Sequence, residues 1–259
     1  ETKGYFPDAL IPVKAIVKDG SNKINANTNQ SFYIKVNSDV HQRAGTYRGN
    51  LYIQLNNTEY KVAVTVDVKD YVVNQVTHSK SLFLNDWSYD SGENESSQEK
   101  LDAYNNALLK YRLSPDKLIS SDEQDNKFDD KFIYRYTEKA YQFMQNPSCT
   151  NVSIPYAPTV ESSGGIIYYQ NINKSIFKKF LTSYYVKSIS ENYNMFDKSA
   201  FYCGIIDEPD DRSMLDQTRV VVESFRTVVS ETADELERTG YTNHPLHNDL
   251  IKGIRELKN

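Results

Sequence analysis

Ala200–Phe201–Tyr202–Cys203–Gly204–Ile205–Ile206–Asp207–Glu208–Pro209 is the stretch on which the reading of the 259-residue chain turns. Its opening part, Ala200–Ile206, is an almost unbroken apolar run, the pattern of a parallel strand buried on both faces. It ends in two adjacent carboxylates and a proline. In parallel α/β barrels the C-terminal ends of the strands carry the active site. A partly desolvated carboxylic acid there is raised in pKa and can donate a proton to a leaving oxygen, while a neighbouring carboxylate holds developing positive charge. Asp207 and Glu208 are therefore the candidate catalytic residues. Two other readings stay open on the residues alone. Asp207, Asp210 and Asp211 can cap a helical turn begun by Pro209, and the cluster of acids can hold calcium.

Working outward, the chain before this strand alternates strand-like and helix-like segments. Ser81–Leu84 reads as a short strand, and Ser96 with Glu99 as a capping box that opens a helix with Leu101, Tyr104, Leu108 and Tyr111 on one face. Lys117–Ile119 reads as a second strand, followed by a helix with Phe132, Tyr136, Ala140 and Phe143 inward. Asn151–Pro155 reads as a third strand, and Ile176, Phe177, Phe180, Leu181 and Tyr184 mark the next helix. After Pro209 a long helix places Leu215, Val222, Phe225 and Val229 inward and ends before Gly240, and Leu246–Asn259 is again helical. Strand–helix alternation implies a parallel sheet, either doubly wound or closed into a barrel. A whole barrel takes about 250 residues, so the expectation is a barrel unfinished in this chain, with about four β/α units over 79–259.

Residues 1–75 read differently. Ile11–Val17, Ser31–Val36, Tyr47–Leu55 and Tyr60–Val68 alternate apolar and polar with period two, and Asn56–Asn57–Thr58 suits a tight hairpin turn. Such strands without helices between them predict an antiparallel β-sandwich module. The expected fold is thus multidomain: an N-terminal β-sandwich followed by the first half of a (β/α)8 TIM-type barrel, truncated, with the remaining polypeptide or a second copy completing it.

Composition narrows the function classes. Net charge is -5 with no basic stripe, so nucleic-acid binding is not expected. No apolar run reaches the ~18–20 residues of a membrane span. Cys149 and Cys203 lack metal-ligand spacing; they could pair, and the reading favours buried free thiols. Gly-rich phosphate loops, nucleophile elbows and paired-histidine zinc motifs are absent from the sequence. His244 and His247, three residues apart, suit turn and surface roles better than a shared metal. No cofactor and no metal are expected. Three further residues stand where a barrel mouth would need them. Trp87 follows the first strand, to stack a sugar face or to wedge between domains. Arg112 ends the first helix, to clamp a carboxylate or to favour the helix C-terminus. Tyr156 follows the third strand, to hydrogen-bond substrate or to plug the barrel end.

Several short motifs in order resemble one family. Tyr5–Phe6–Pro7–Asp8–Ala9–Leu10–Ile11–Pro12 is similar to its P-D-x-L-x-P start, and Ala44–Gly45–Thr46–Tyr47–Arg48–Gly49 to its A-G-x-Y-x-G strand entry. Leu109–Lys110–Tyr111–Arg112–Leu113–Ser114–Pro115 resembles its H-R-x-S-P helix end, with Tyr111 where histidine is usual. Asp207–Glu208–Pro209 resembles its catalytic-strand signature. The family is glycoside hydrolase family 123, with the related catalytic domains of DUF4091 type. The resemblance implies a secreted or cell-surface, bacterial-type protein. It also implies exo-acting β-N-acetylgalactosaminidase activity, in which Asp207 orients the substrate's 2-acetamido group and Glu208 is general acid, then base. Adjacent carboxylates cannot easily flank a glycosidic bond from opposite faces, and a nucleophile carried by the substrate removes that need. The alternatives are a two-carboxylate retaining glycosidase whose nucleophile lies beyond this chain, and a non-catalytic carbohydrate-binding or cell-surface protein on a decayed barrel.

Overall fold

The computed structural model describes residues 12–14, 23–74, 79–83, 98–120, 128–163, 166–201 and 212–258. The chain divides into two compact units, Glu1–Val73 and Asn74–Asn259. In the first, β1 (Gly45–Leu55) and β2 (Thr58–Val68) pair antiparallel in unbroken register from Gly45 opposite Val68 to Leu55 opposite Thr58. Asn56 turns the chain with φ 52°, a left-handed conformation that asparagine tolerates better than most residues. Period-two alternation puts Tyr47, Leu51 and Ile53 on one face, opposite Val66, Val62 and Tyr60.

No β-sandwich forms among the described residues of this unit. The only ladder among its described residues is β1–β2, and a sandwich needs two sheets packed face to face. Residues 31–36, expected as a strand, have no regular structure, and Tyr33 is 74% exposed. Of residues 11–17 only 12–14 are described, and 13–14 are helical. Alternation was a correct signal where a tight turn supplied a partner strand, and failed at 31–36 because no described strand satisfies that backbone.

The second unit is built on helices: α1 (Gln98–Lys110), α2 (Asp130–Met144), α3 (Lys174–Glu191), α4 (Arg212–Thr239) and α5 (His247–Glu256). Helix α3 is central. Phe177, Phe180, Leu181, Tyr184 and Tyr185 are fully buried at the i, i+3, i+4, i+7, i+8 spacing of one helical stripe. Phe180 meets Phe132 and Tyr136 of α2 edge-on, at 6.3 and 5.7 Å between ring centres. Phe225, Val228 and Val229 of α4 and Leu250, Ile251 and Ile254 of α5 complete this core. Helix α2 starts where Asp129 accepts from the Phe132 amide, and α3 where Asn173 accepts from the Ile176 amide, each satisfying a donor that the helix leaves free.

The half-barrel expectation is overturned. Parallel pairing among the described residues amounts to a two-residue ladder between β3 (Val152–Ser153) and β6 (Ser199–Ala200), plus a single bridge from Phe83 to Pro115. Between β3 and α3 the chain inserts an antiparallel hairpin, β4 (Pro158–Ser163) with β5 (Ile166–Ile172), which simple β/α alternation does not contain. The physical reason is local. Phe83 answers the Ser114 carbonyl and the Asp116 amide, but beyond them side chains, not a neighbouring strand, take backbone groups of 117, 118 and 120. Asn105 Nδ2 donates to the Lys117 carbonyl (2.8 Å), Gln98 Nε2 to the Leu118 carbonyl (2.9 Å), and Gln98 Oε1 accepts from the Ser120 amide (2.9 Å). Pro115 has no N–H to offer. The expected strand at 117–119 is therefore buried irregular chain.

Candidate functional site

The chain leaves β6 at Phe201 and enters residues 202–211, which carry the carboxylate pair. Asp207, Glu208 and Cys203 lie outside the described residues, and so does Trp87. Arg112 and Tyr156 are described, and they serve different structures.

Tyr156 is half-buried just beyond β3, its ring centre 5.7 Å from that of Phe201 just beyond β6. Phe201 stacks on Phe225 at 3.9 Å and meets Phe177 at 5.1 Å. Because β3 and β6 run parallel, with the Ile154 amide donating to the Ala200 carbonyl at 2.8 Å, both strands deliver their next residues to the same end. There an aromatic layer closes the space between α3 and α4. The ring of Tyr156 therefore packs across the ends of β3 and β6.

Arg112 holds φ 62° directly after α1. Its amide donates to the Leu109 carbonyl (3.0 Å) and the Leu113 amide reaches back to Leu108 (3.1 Å). This paired closure is the Schellman motif, and Arg112 sits where glycine is usual. Its carbonyl accepts from Ser81 Oγ at 2.9 Å. Arg112 thereby joins a knot of small polar side chains. Ser81 Oγ accepts from the Ser114 amide, Ser114 Oγ accepts from the Thr150 amide, and Thr150 Oγ1 donates to Asn151 Oδ1. Cys149 lies beside this knot as a free thiol with 1% exposure, and burial pushes its pKa up, partly opposed by Lys198 and by Ser114. A buried neutral thiol is a poor nucleophile.

The histidines divide. His244 Nδ1 accepts from the Leu246 amide in the turn before α5. His247 is buried, and its Nδ1 lies 2.7 Å from the Tyr185 hydroxyl. That hydroxyl accepts from the Tyr241 amide at 2.8 Å, so its own proton is free for His247 Nδ1. Among the described residues no group of three or more His, Cys, Asp or Glu side chains is placed to hold a metal, and no helix is long and apolar enough to cross a membrane.

Two features escaped the sequence reading. The β4–β5 hairpin was signalled by Gly164–Gly165 between Thr159–Val160 and Ile166–Tyr169, a glycine pair flanked by β-formers. The second is Tyr134, a large aromatic on the outer face of α2 that is 64% exposed beside a groove against α3. Its signal was an aromatic out of phase with Phe132, Tyr136, Ala140 and Phe143. No family model, no curated protein and no solved structure matches this chain.

Proposed function

We propose that the protein is a glycoside hydrolase acting from the chain end on β-linked N-acetylhexosamine, with N-acetylgalactosamine as the preferred sugar, and that it works outside the cytoplasm. The single observation that carries this reading is the sequence Gly204–Ile205–Ile206–Asp207–Glu208–Pro209, which continues the chain from a parallel strand at the end where Tyr156 and Phe201 meet. The ordered resemblance of the surrounding motifs to glycoside hydrolase family 123 supports the choice of sugar. In this mechanism Glu208 donates a proton to the glycosidic oxygen while the substrate's own acetamido oxygen attacks C1, and the leaving group departs as an alcohol. Asp207 accepts the acetamido N–H and steadies the positive charge that spreads over the cyclised ring. Glu208, now a carboxylate, takes a proton from the water that reopens the ring with net retention.

A second reading is a non-catalytic carbohydrate-binding protein. Arg112 closes a helix and the ring of Tyr156 packs against an aromatic layer, so neither described position adds a catalytic group to the site.

Turnover of an unactivated β-N-acetylgalactosaminide and of its nitrophenyl counterpart separates the two. Glu208→Gln is expected to lower turnover of the unactivated substrate by about 10²–10⁴-fold, the usual worth of a general acid, and that of the nitrophenyl substrate less, because nitrophenolate leaves without a proton. A thiazoline mimic of the cyclised intermediate should inhibit. Equal losses on both substrates would remove Glu208 from the acid role. Cleavage of plain 2-hydroxy hexosides at the same rate would end the substrate-assisted mechanism, and saccharide binding without turnover would leave the second reading.

A further inference from the structure

We propose that the connection between α4 and α5 is an acid-sensitive latch, closed by the neutral rings of His244 and His247 and opened when they take up a proton.

The connection runs from Gly240 to the start of α5 at His247. Both imidazoles serve it as acceptors. The Leu246 amide points at His244 Nδ1, 3.2 Å away. A backbone N–H only donates, so that nitrogen carries no proton. At His247 the partner is the Tyr185 hydroxyl of α3, 2.7 Å from Nδ1. The hydroxyl oxygen already accepts from the Tyr241 amide at 2.8 Å. Among the described residues, His247 Nδ1 is the acceptor that the hydroxyl proton meets. Each ring therefore carries its single proton on Nε2. Protonation puts a hydrogen on Nδ1 as well. It then faces the Leu246 N–H at one ring and the Tyr185 O–H at the other, donor against donor.

The surroundings offer little in exchange. Leu246, the residue that caps α5, makes no side-chain cap, and the positive end of the helix dipole opposes a cation at either ring. The Tyr185 hydroxyl has no room toward α4, because a Cβ on Gly240 would stand 2.6 Å from it. On α4 the carboxylate that senses His247 is Glu237, but Arg255 of α5 holds it at 2.8 and 3.2 Å and holds Asp234 at 2.8 Å. On α3 the group facing His247 is Tyr185 itself, and within the first turn of α5 the charged residue is Asp249. The short turn at Met195–Lys198, which also packs on α5, carries Asp197. Burial, with the charges of Asp249 and Glu256, holds that carboxyl above its usual range.

Histidine ordinarily changes charge between about pH 5 and 8. The bonds need neutral rings, so the latch holds above that range and opens as pH falls through it. Leu250, Ile251 and Ile254 keep the rest of α5 in the core. Opening is therefore confined to residues 240–247.

The test is amide hydrogen exchange on the full chain, compared as protection factors at about pH 7.5 and about pH 5.5, either side of the ordinary histidine titration. The amides of Tyr241 and Leu246 are expected to lose about 2- to 12-fold in protection at the lower pH, the worth of one net hydrogen bond, while those of α3 keep theirs. His244→Asn supplies an acceptor that does not titrate, and the site is half-buried. It should keep Leu246 protected at both pH values. Tyr185→Phe removes the acceptor of the Tyr241 amide, which should then exchange freely at both. Asp197→Asn should leave the response intact. Equal protection at the two pH values would overturn the proposal. So would a loss at Leu246 that persists in His244→Asn, a pH response at Tyr241 that survives Tyr185→Phe, a response abolished by Asp197→Asn, or a loss shared by the amides of α3.

Discussion

Arg112 adopts φ 62° because the chain must reverse at once between α1 and the Ser114 knot. For a side-chain-bearing residue this conformation costs about 1–2 kcal/mol, against the roughly 0.5–1 kcal/mol that glycine's extra freedom in the unfolded chain costs. Arg112→Gly is accordingly expected to stabilise the protein by about 0.5–1 kcal/mol, read as a higher urea midpoint at unchanged slope. If Arg112 also clamps substrate, the same variant raises KM; if capping is its whole task, KM stays put. Arg112 was legible as a helix end, since it precedes Leu113–Ser114–Pro115. Its left-handed backbone was not, because arginine carries no signature of that conformation. The converse holds at Gly240, where a Cβ would come within 2.5 Å of the Leu236 carbonyl and 2.6 Å of the Tyr185 hydroxyl. There the sequence marks the end of α4 plainly, and only packing shows that the small side chain also makes room for Tyr185.

At the scale of elements, α2 and α3 are where periodicity was most informative, because their buried residues recur on one stripe. Helix α1 was read with its face turned. Tyr104 and Tyr111, expected inward, are 53% and 70% exposed, while Leu101, Asn105 and Leu109 are buried. The cause is Asn105, a polar residue that apolar counting discards. Its amide binds the Lys117 carbonyl and so turns that side of α1 inward. Gln98 works in the same way from the first turn, bonding the Leu118 carbonyl, the Ser120 amide and Asp102. Gln98→Ala takes that partner from the Leu118 carbonyl and the Ser120 amide, while Asp102 keeps Lys139, at a cost of about 1–3 kcal/mol. Amide exchange should locate the loss, with Ser120 losing protection well before the amides of α3. Unchanged protection at Ser120 would mean that the 114–120 segment is held by other contacts. In α4 the stripe held at Phe225 and Val229 and failed at Leu215 and Val222, which are 49% and 39% exposed, because no described element covers that side of the helix.

For the molecule as a whole, stability above neutral pH should be governed by phenols and a thiol inside the helical unit. Burial raises the pKa of Tyr136, with the charge of Asp116 adding to it, and burial likewise raises Tyr184 and Cys149. Each group keeps its proton in the folded state at pH values where the unfolded chain has lost it. Folding free energy should therefore be insensitive to these groups at pH 7 and fall as pH climbs past about 8.5 for the thiol and about 10 for the phenols. The Tyr184 hydroxyl is buried without a hydrogen-bond partner, so Tyr184→Phe keeps the ring, removes an unsatisfied group worth about 1–3 kcal/mol, and should flatten the alkaline limb. A steeper limb in that variant would show that the hydroxyl is satisfied and stabilising. What the sequence by itself determined is the set of segments whose form follows from local spacing: the β1–β2 hairpin, the buried stripes of α2 and α3, and the end of α4 before Gly240. It also contains the acidic pair Asp207–Glu208 on which the proposed catalysis rests. Tertiary structure alone decided how these segments combine. Apolar runs state that a segment is buried but not what covers it, and a strand exists only if another backbone answers its N–H and C=O groups. At 117–120 side chains answered them instead, and the β-rich stretch at 31–36 found no described partner, which is why strand-like sequence yielded a helical core with short ladders rather than a sandwich and a half-barrel.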